Sequence, residues 1–194
     1  MRKVWVLAIS MVVSAAQCQV QYFPKSSLDS GGDGFKAHWY SLQLRALEEP
    51  SLFRLADIPA SESYRFLWLR TFNHPISIRI DLKPDGTGIL TTKIANGAGG
   101  YSPGALIENS SRTLKAEEVR AFLFRVERVG FWKARNPVND QRGTDGSQWV
   151  IEGVKKGKYH VVDRWSPSGG VAHDLGLMLA FDLAKVDVPE NEIY

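Results

Sequence analysis

The clearest period in the chain runs from Ile76 to Leu82. Ile76, Ile78, Ile80 and Leu82 alternate with Ser77, Arg79 and Asp81, the two-residue repeat of a strand with one buried face. Tyr64 to Phe72 is aromatic-rich and alternating, which predicts a strand broken by Asn73-His74-Pro75. After Leu82, the run Lys83-Pro84-Asp85-Gly86-Thr87 has Pro where a type I turn presets φ and Gly where a left-handed bulge residue belongs. A three-residue loop of that kind pairs Lys83 with Thr87. It then sets Ile80 against Leu90, Ile78 against Thr92 and Ile76 against Ile94, so the apolar positions share a face. A two-residue loop at Asp85-Gly86 would put Ile80 against Thr91 and Ile78 against Lys93, so the bulged turn is expected.

A second hairpin is expected from Gln148 to Val154 and from Tyr159 to Trp165, around Lys155-Lys156-Gly157-Lys158. With Lys156-Gly157 as the turn, Trp149 faces Arg164, Ile151 faces Val162 and Gly153 faces His160. The other side pairs Val150 with Asp163, Glu152 with Val161 and Val154 with Tyr159. Both faces are mixed, so the pattern leaves open which is buried.

Helical spacing appears three times. Val119, Phe122, Leu123, Val126 and Val129 predict a helix over 116–129, with Leu114 placed as a staple on Val119 and Gly130 as the C-terminal cap. Leu175, Met178, Leu179, Leu183 and Val186 predict another over 172–186. Phe35, Trp39, Leu42 and Ala46 fall on one face of a helix over 35–49 that Pro50 closes, although the alternation of Tyr40, Leu42, Leu44 and Ala46 also permits a strand. Residues 50–62 and 133–146 read as irregular segments, 95–112 as a flexible Gly-rich connector, and the acidic tail as frayed. The fold expected is a single α+β domain over 35–188. It has about five antiparallel strands built from hairpins, with two main helices packed on one side of the sheet.

The N-terminus changes the compartment. Met1-Arg2-Lys3 is a basic lead, Val4 to Val13 an apolar run of about ten residues, and Ser14-Ala15-Ala16 a small-residue stretch: the pattern of a cleavable secretory signal over 1–18. A membrane-spanning helix needs about 20 apolar residues. Residues 19–34, rich in Ser and Gly, read as a flexible lead-in. Cys18 follows Ala15 and Gln17 at the positions where a lipoprotein signal wants a Leu-like and a small residue, so a lipid anchor is not expected. No other cysteine exists, and an exported domain without disulfides must rely on its core. The net charge of +3 includes Arg2 and Lys3, leaving about +1 without them, which argues against a nucleic-acid surface or a polybasic membrane patch.

Candidate chemistry is sparse. Gly97-Ala98-Gly99-Gly100 departs from G-x-G-x-x-G, since position 102 is Ser, and no helix starts behind it to hold a phosphate. His38, His74, His160 and His173 lack metal-ligand spacing, and no metal or cofactor is expected. Asn139, Asp140 and Asp145 share a loop whose spacing is not that of an EF-hand, so it reads as a solvated loop. His160 and Asp163 point to opposite faces of one strand, which disfavours a local triad with Ser166, and no G-x-S-x-G elbow is present. The remaining candidate is a ligand cleft floored by Trp149, with Arg164 and His160 reaching for an anionic or polar ligand. Arg164 would lie over Trp149 as a cation–π pair, His160 would have open space opposite Gly153, and Arg70 and Tyr101 would join.

The string from Gly143 through Asp145, Gly146, Trp149, Glu152 and Gly153, followed by Gly157, Tyr159, His160 and Arg164-Trp165-Ser166-Pro167, resembles uncharacterised exported bacterial proteins of unknown function, over about residues 38–183. The resemblance implies a bacterial, periplasmic setting and no mechanism. The expected function is a non-enzymatic exported domain that binds a partner protein or a small polar ligand. The alternative is a hydrolase-type enzyme with a site assembled from scattered residues.

Overall fold

The computed structural model describes residues 20–28, 34–136 and 145–194. Six strands form one antiparallel sheet: β1 (Glu62–Arg70), β2 (Ile76–Leu82), β3 (Gly88–Ala95), β4 (Leu106–Leu114), β5 (Ser147–Lys155) and β6 (Lys158–Trp165). The spatial order is β4-β3-β2-β1-β5-β6, with the aromatic β1 at the centre. No helix among the described residues is long and apolar enough to cross a membrane.

Both hairpin registers follow from their turns. Lys83 N–H donates to Thr87 O at 2.9 Å, Gly86 takes φ 83°, and Ile80, Ile78 and Ile76 stand opposite Leu90, Thr92 and Ile94. Lys156 and Gly157 both take positive φ, 50° and 75°, the tight turn whose twist matches a hairpin. Trp149 therefore faces Arg164, Ile151 faces Val162 and Gly153 faces His160.

The count of five strands is corrected to six, because β4 lies in the stretch expected to be a flexible connector. Ile107 to Thr113 are exposed on both faces of this edge strand. A strand with two wet faces has no hydrophobic period to betray it. The loop before it is also held. Gly97, Gly99 and Gly100 donate to Pro103 O, Asn73 O and Thr71 O at 2.8, 2.9 and 3.1 Å. A Cβ on Gly99 would sit 2.7 Å from the Arg70 carbonyl oxygen, so the glycine permits a close backbone approach to β1.

The two main helices pack on one face, as expected, and a third helix covers the other. Helix α3 (Ala116–Arg128) and α4 (Val171–Leu177), which runs on through a wider π-helical turn over Met178–Leu183, bury Tyr64, Phe66, Trp68, Ile78, Ile80, Trp149, Ile151 and Val162. The opposite face packs Leu67, Leu69, Val150 and Val161 against α1 (Phe35–Ala46) and against Tyr22, Phe23 and Leu28. The alternative of a strand here is thus settled as helix, but with a different inner face. Tyr40, Gln43, Leu44 and Leu47 are buried, while Phe35 and Leu42 are exposed. Gln43 is tolerated there because its Nε2 donates to Gly99 O at 3.1 Å and Tyr101 O at 2.9 Å. In the connector that follows, Ser51 caps a one-turn helix α2 (Leu52–Leu55), its Oγ accepting from Arg54 N–H at 3.2 Å.

The acidic tail is not frayed. Glu192 pairs with Arg70 Nη1 at 2.7 Å, Tyr194 O accepts from Trp149 Nε1 at 2.9 Å, and the Tyr194 hydroxyl donates to Asn73 Oδ1 at 2.6 Å. Arg70 and Trp149, both buried in the sheet, and Asn73 just beyond β1 hold it.

Candidate functional site

The expected cleft residues fall into three places. Trp149 is 1% exposed and belongs to the core. Its ring meets Phe66 and Trp68, each at 5.1 Å between centroids, and its Nε1 is shared between Ser147 Oγ and Tyr194 O. Arg70 lies at the same corner, but its guanidinium sits 4.8 Å from the centroid of Trp68, pinned by Glu192. The cation–π pair thus joins Arg70 to Trp68, not Arg164 to Trp149. Tyr101 is 64% exposed, its ring tilted against Phe72 at 6.2 Å. His160 and Arg164 lie together at the outer edge of β6, beside a cavity.

That edge is built from the end of α3 outward. Gly130, in the left-handed conformation at φ 70°, stops the helix and turns the chain into a single 3-10 turn over Phe131–Lys133. Phe131 then packs against Gly153, where a Cβ would lie 2.7 Å from its ring. The space expected to be open opposite His160 is therefore filled. The His160 imidazole is held edge-on to Phe131 at 5.0 Å and tilted against Trp132 at 6.1 Å.

From Ala134 the chain runs alongside β6. The Asn136 amide occupies the strand edge: Oδ1 accepts from Asp163 N–H at 2.8 Å, and Nδ2 donates to Val161 O at 3.3 Å and to Ser27 O at 2.9 Å. Arg164 fixes this segment. Its Nη1 donates to Asn136 Oδ1 at 3.0 Å and to Asp163 O at 2.7 Å, and its Nη2 to Arg135 O at 2.7 Å. Arg164 is thus the scaffold of the site rather than a free ligand-seeking cation.

Between this segment, the edge of β6 and the N-terminal stretch lies a cavity of about 360 Å³, lined by Ser26, Ser27, Arg135, Asn136, Tyr159 and His160 among others. Small-molecule sites occupy about 300–1,000 Å³. Burial lowers the His160 pKa below the ordinary imidazole value, opposed by hydrogen bonds to the backbone of Ala134 and Phe131. At neutral pH the ring is uncharged, with one nitrogen a donor and the other an acceptor. Its Nε2 is itself buried and has no hydrogen-bond partner. Ser26, Ser27, Arg135 and Asn136 share the lining with Pro24, Leu28, Ala134 and Val161. Ser166 is engaged elsewhere, its Oγ accepting from Ser147 N–H at 2.9 Å. Asn139 and Asp140 lie outside the described residues.

On the sheet face under α1 lies a polar group that the hydrophobic pattern does not announce. Arg65 is fully buried, donating through Nε and Nη2 to Glu152 Oε2 and through Nη1 to Pro50 O at 2.7 Å and Glu49 Oε2 at 3.3 Å. Arg79 Nε donates to Glu49 at 2.9 Å, and the Tyr159 hydroxyl donates to Glu152 Oε1 at 2.8 Å. Burial works against the Arg65 charge, but Glu152 and Glu49 outweigh it and raise its pKa. A neighbouring cluster centres on Asp163, which accepts from Lys36 Nζ at 2.7 Å, Gln148 Nε2 at 2.7 Å and the Tyr40 hydroxyl at 3.1 Å. Burial raises the Asp163 pKa while Lys36 pulls it down. These groups satisfy one another inside the fold and fix α1 to the sheet.

Asn136, Arg135, Ser26 and Ser27 carry no periodic signal, since they sit in irregular segments that only the tertiary fold brings together. No protein-family model matches the chain, and no curated protein matches it either.

Proposed function

We propose that the chain is an exported binding domain that holds a small polar ligand in the cavity beside His160. The observation that carries it is the cavity of about 360 Å³ at the β6 edge, whose lining mixes Ser26, Ser27, Arg135 and Asn136 with apolar residues such as Pro24 and Leu28. Serine hydroxyls and an arginine at the rim of such a cavity suit a carboxylate-bearing or polyhydroxylated molecule. The site is framed by the ordered β6 edge and clipped by Asn136 and Arg164, so little ordering is needed on binding. Export is part of the same proposal and rests on the basic, apolar and small-residue pattern of residues 1–18.

The test is thermal stability of the purified chain after the leader against a panel of carboxylates, sugars, phosphates and peptides. A ligand present at 100 times its dissociation constant stabilises the fold by about 2.7 kcal/mol. A hit is expected, and it is expected to be lost in Ser27→Ala and in Arg135→Ala, both of which leave the core untouched. A panel without a hit, or a hit indifferent to both substitutions, refutes the cavity as the binding site.

A further inference from the structure

The two edges of the sheet are treated differently. At β6, the Asn136 amide takes up Asp163 N–H and Val161 O, so the edge is blocked. At the other end, β4 has no strand paired to its outer side among the described residues. It spans Leu106–Leu114 and contains neither Pro nor Lys, two residues that proteins use to blunt an edge.

The ladder fixes which groups point outward. Lys83 N–H bonds Thr87 O and Ala95 N–H bonds Pro75 O, so the odd-numbered residues of β3 bond to β2. Its even-numbered residues, Gly88, Leu90, Thr92 and Ile94, bond to β4 at Leu114, Arg112, Ser110 and Glu108. Asn109, Ser111 and Thr113 are left with their N–H and C=O directed outward. The side chains of Glu108, Ser110 and Arg112 share the α3 face.

We infer that β4 pairs antiparallel with β4 of a second copy of this chain, about a two-fold axis at Ser110, joining two sheets into one. The charge pattern selects this occupant. In that register Glu108 stands opposite Arg112 of the second copy, and Arg112 opposite its Glu108, so the strand is complementary to itself. Asn109 then faces Ser111 in a hydrogen-bonded pair, and exposed Ile107 faces Thr113. Within one chain Glu108 and Arg112 are about 13 Å apart along the strand, out of reach of each other. Arg112 spends part of its guanidinium on Glu118 Oε1 at 2.9 Å and Leu183 O at 2.8 Å, and its side chain remains 43% exposed, leaving N–H groups for a second carboxylate.

Sedimentation of the intact domain tests this, at concentrations on the order of 100 µM, since a contact this small is a weak one. The wild type is expected to show a monomer–dimer equilibrium. Ser111→Pro removes an outward N–H without touching the ladder to β3, and is expected to leave a folded monomer. Glu108→Arg alone and Arg112→Glu alone each bring like charges together across the axis and are expected to weaken the dimer about tenfold or more. An equimolar mixture of these two variants restores both pairs in a heterodimer and is expected to recover association. That recovery separates pairing at β4 from general loss of stability. A wild type that stays monomeric, or a dimer unmoved by Ser111→Pro, overturns the inference.

Discussion

The ring of Trp149 lies directly against Gly176 of α4: a Cβ on that glycine would sit 2.5 Å from the nearest ring carbon. The indole cannot retreat, because Phe66, Trp68 and His173 surround it. Gly176→Ala gains helix propensity of up to about 1 kcal/mol but overpacks a closed aromatic cluster, at a cost of typically about 1–3 kcal/mol. Net destabilisation of about 1 kcal/mol or more is expected in urea unfolding. Gly169→Ala, where no atom lies within 4 Å of the added carbon, is the control and should change stability by less than about 0.5 kcal/mol. Equal behaviour of the two variants would rule out the close contact.

The Arg65–Glu152 pair is fully buried and hydrogen-bonded through two guanidinium nitrogens. Truncating Glu152 takes away the partner of Arg65 Nε and Nη2 and leaves the buried charge only Glu49 and the Pro50 carbonyl, both on Nη1. Glu152→Leu is therefore expected to destabilise the fold by about 3–5 kcal/mol. The double variant Arg65→Met, Glu152→Leu should recover part of that loss, because no unpaired charge remains at that pair. The check is a double-mutant cycle from denaturant midpoints. Additive single effects would show that the pair is not coupled.

What the sequence discloses here depends on how local the determining physics is. Both hairpin registers were legible because the Pro84-Asp85-Gly86 and Lys156-Gly157 turns fix them within a few residues. The α3 stripe was legible because its inner positions are all apolar. The inner face of α1 was hidden: its buried stripe includes Tyr40 and Gln43, whose hydroxyl and amide nitrogen find partners in Asp163, Gln148 and the loop carbonyls of Gly99 and Tyr101. Strand β4 was hidden because its side chains meet water on both faces. The cavity lining was hidden more deeply still, since Asn136 binds Ser27 across 109 residues of chain and no period connects two irregular segments. His160 and Arg164 were correctly placed as strand neighbours, but their partners were not, so the expected cleft dissolved into a core tryptophan and a clipped edge.

Asn136 makes four contacts that tie the N-terminal segment and Arg164 to the edge of β6. Asn136→Ala leaves Asp163 N–H without its partner and Arg164 Nη1 with Asp163 O alone. A loss of about 1–3 kcal/mol is expected for an unsatisfied group of this kind. Amide exchange gives the sharper readout. Protection of Asp163 N–H should fall strongly, while that of β1 amides falls only by the global loss of stability. Undiminished protection at Asp163 would exclude the side-chain bond.

His160 sets a pH dependence whose sign follows from its burial. Burial favours the neutral ring, and its folded pKa lies below the ordinary value near 6.5 despite the backbone hydrogen bonds that oppose the shift. Above the unfolded pKa the ring is neutral in both states and the contribution to stability is complete. As the pH falls from about 6.5 toward the folded pKa, the unfolded chain binds the proton first, and stability is lost through that window. The wild type is therefore expected to lose more of its melting temperature between pH 7.5 and pH 5 than His160→Gln does. His38, His74 and His173 are present in both proteins, so their titrations cancel in the comparison. Identical pH slopes would mean that the imidazole titrates as if solvent-exposed.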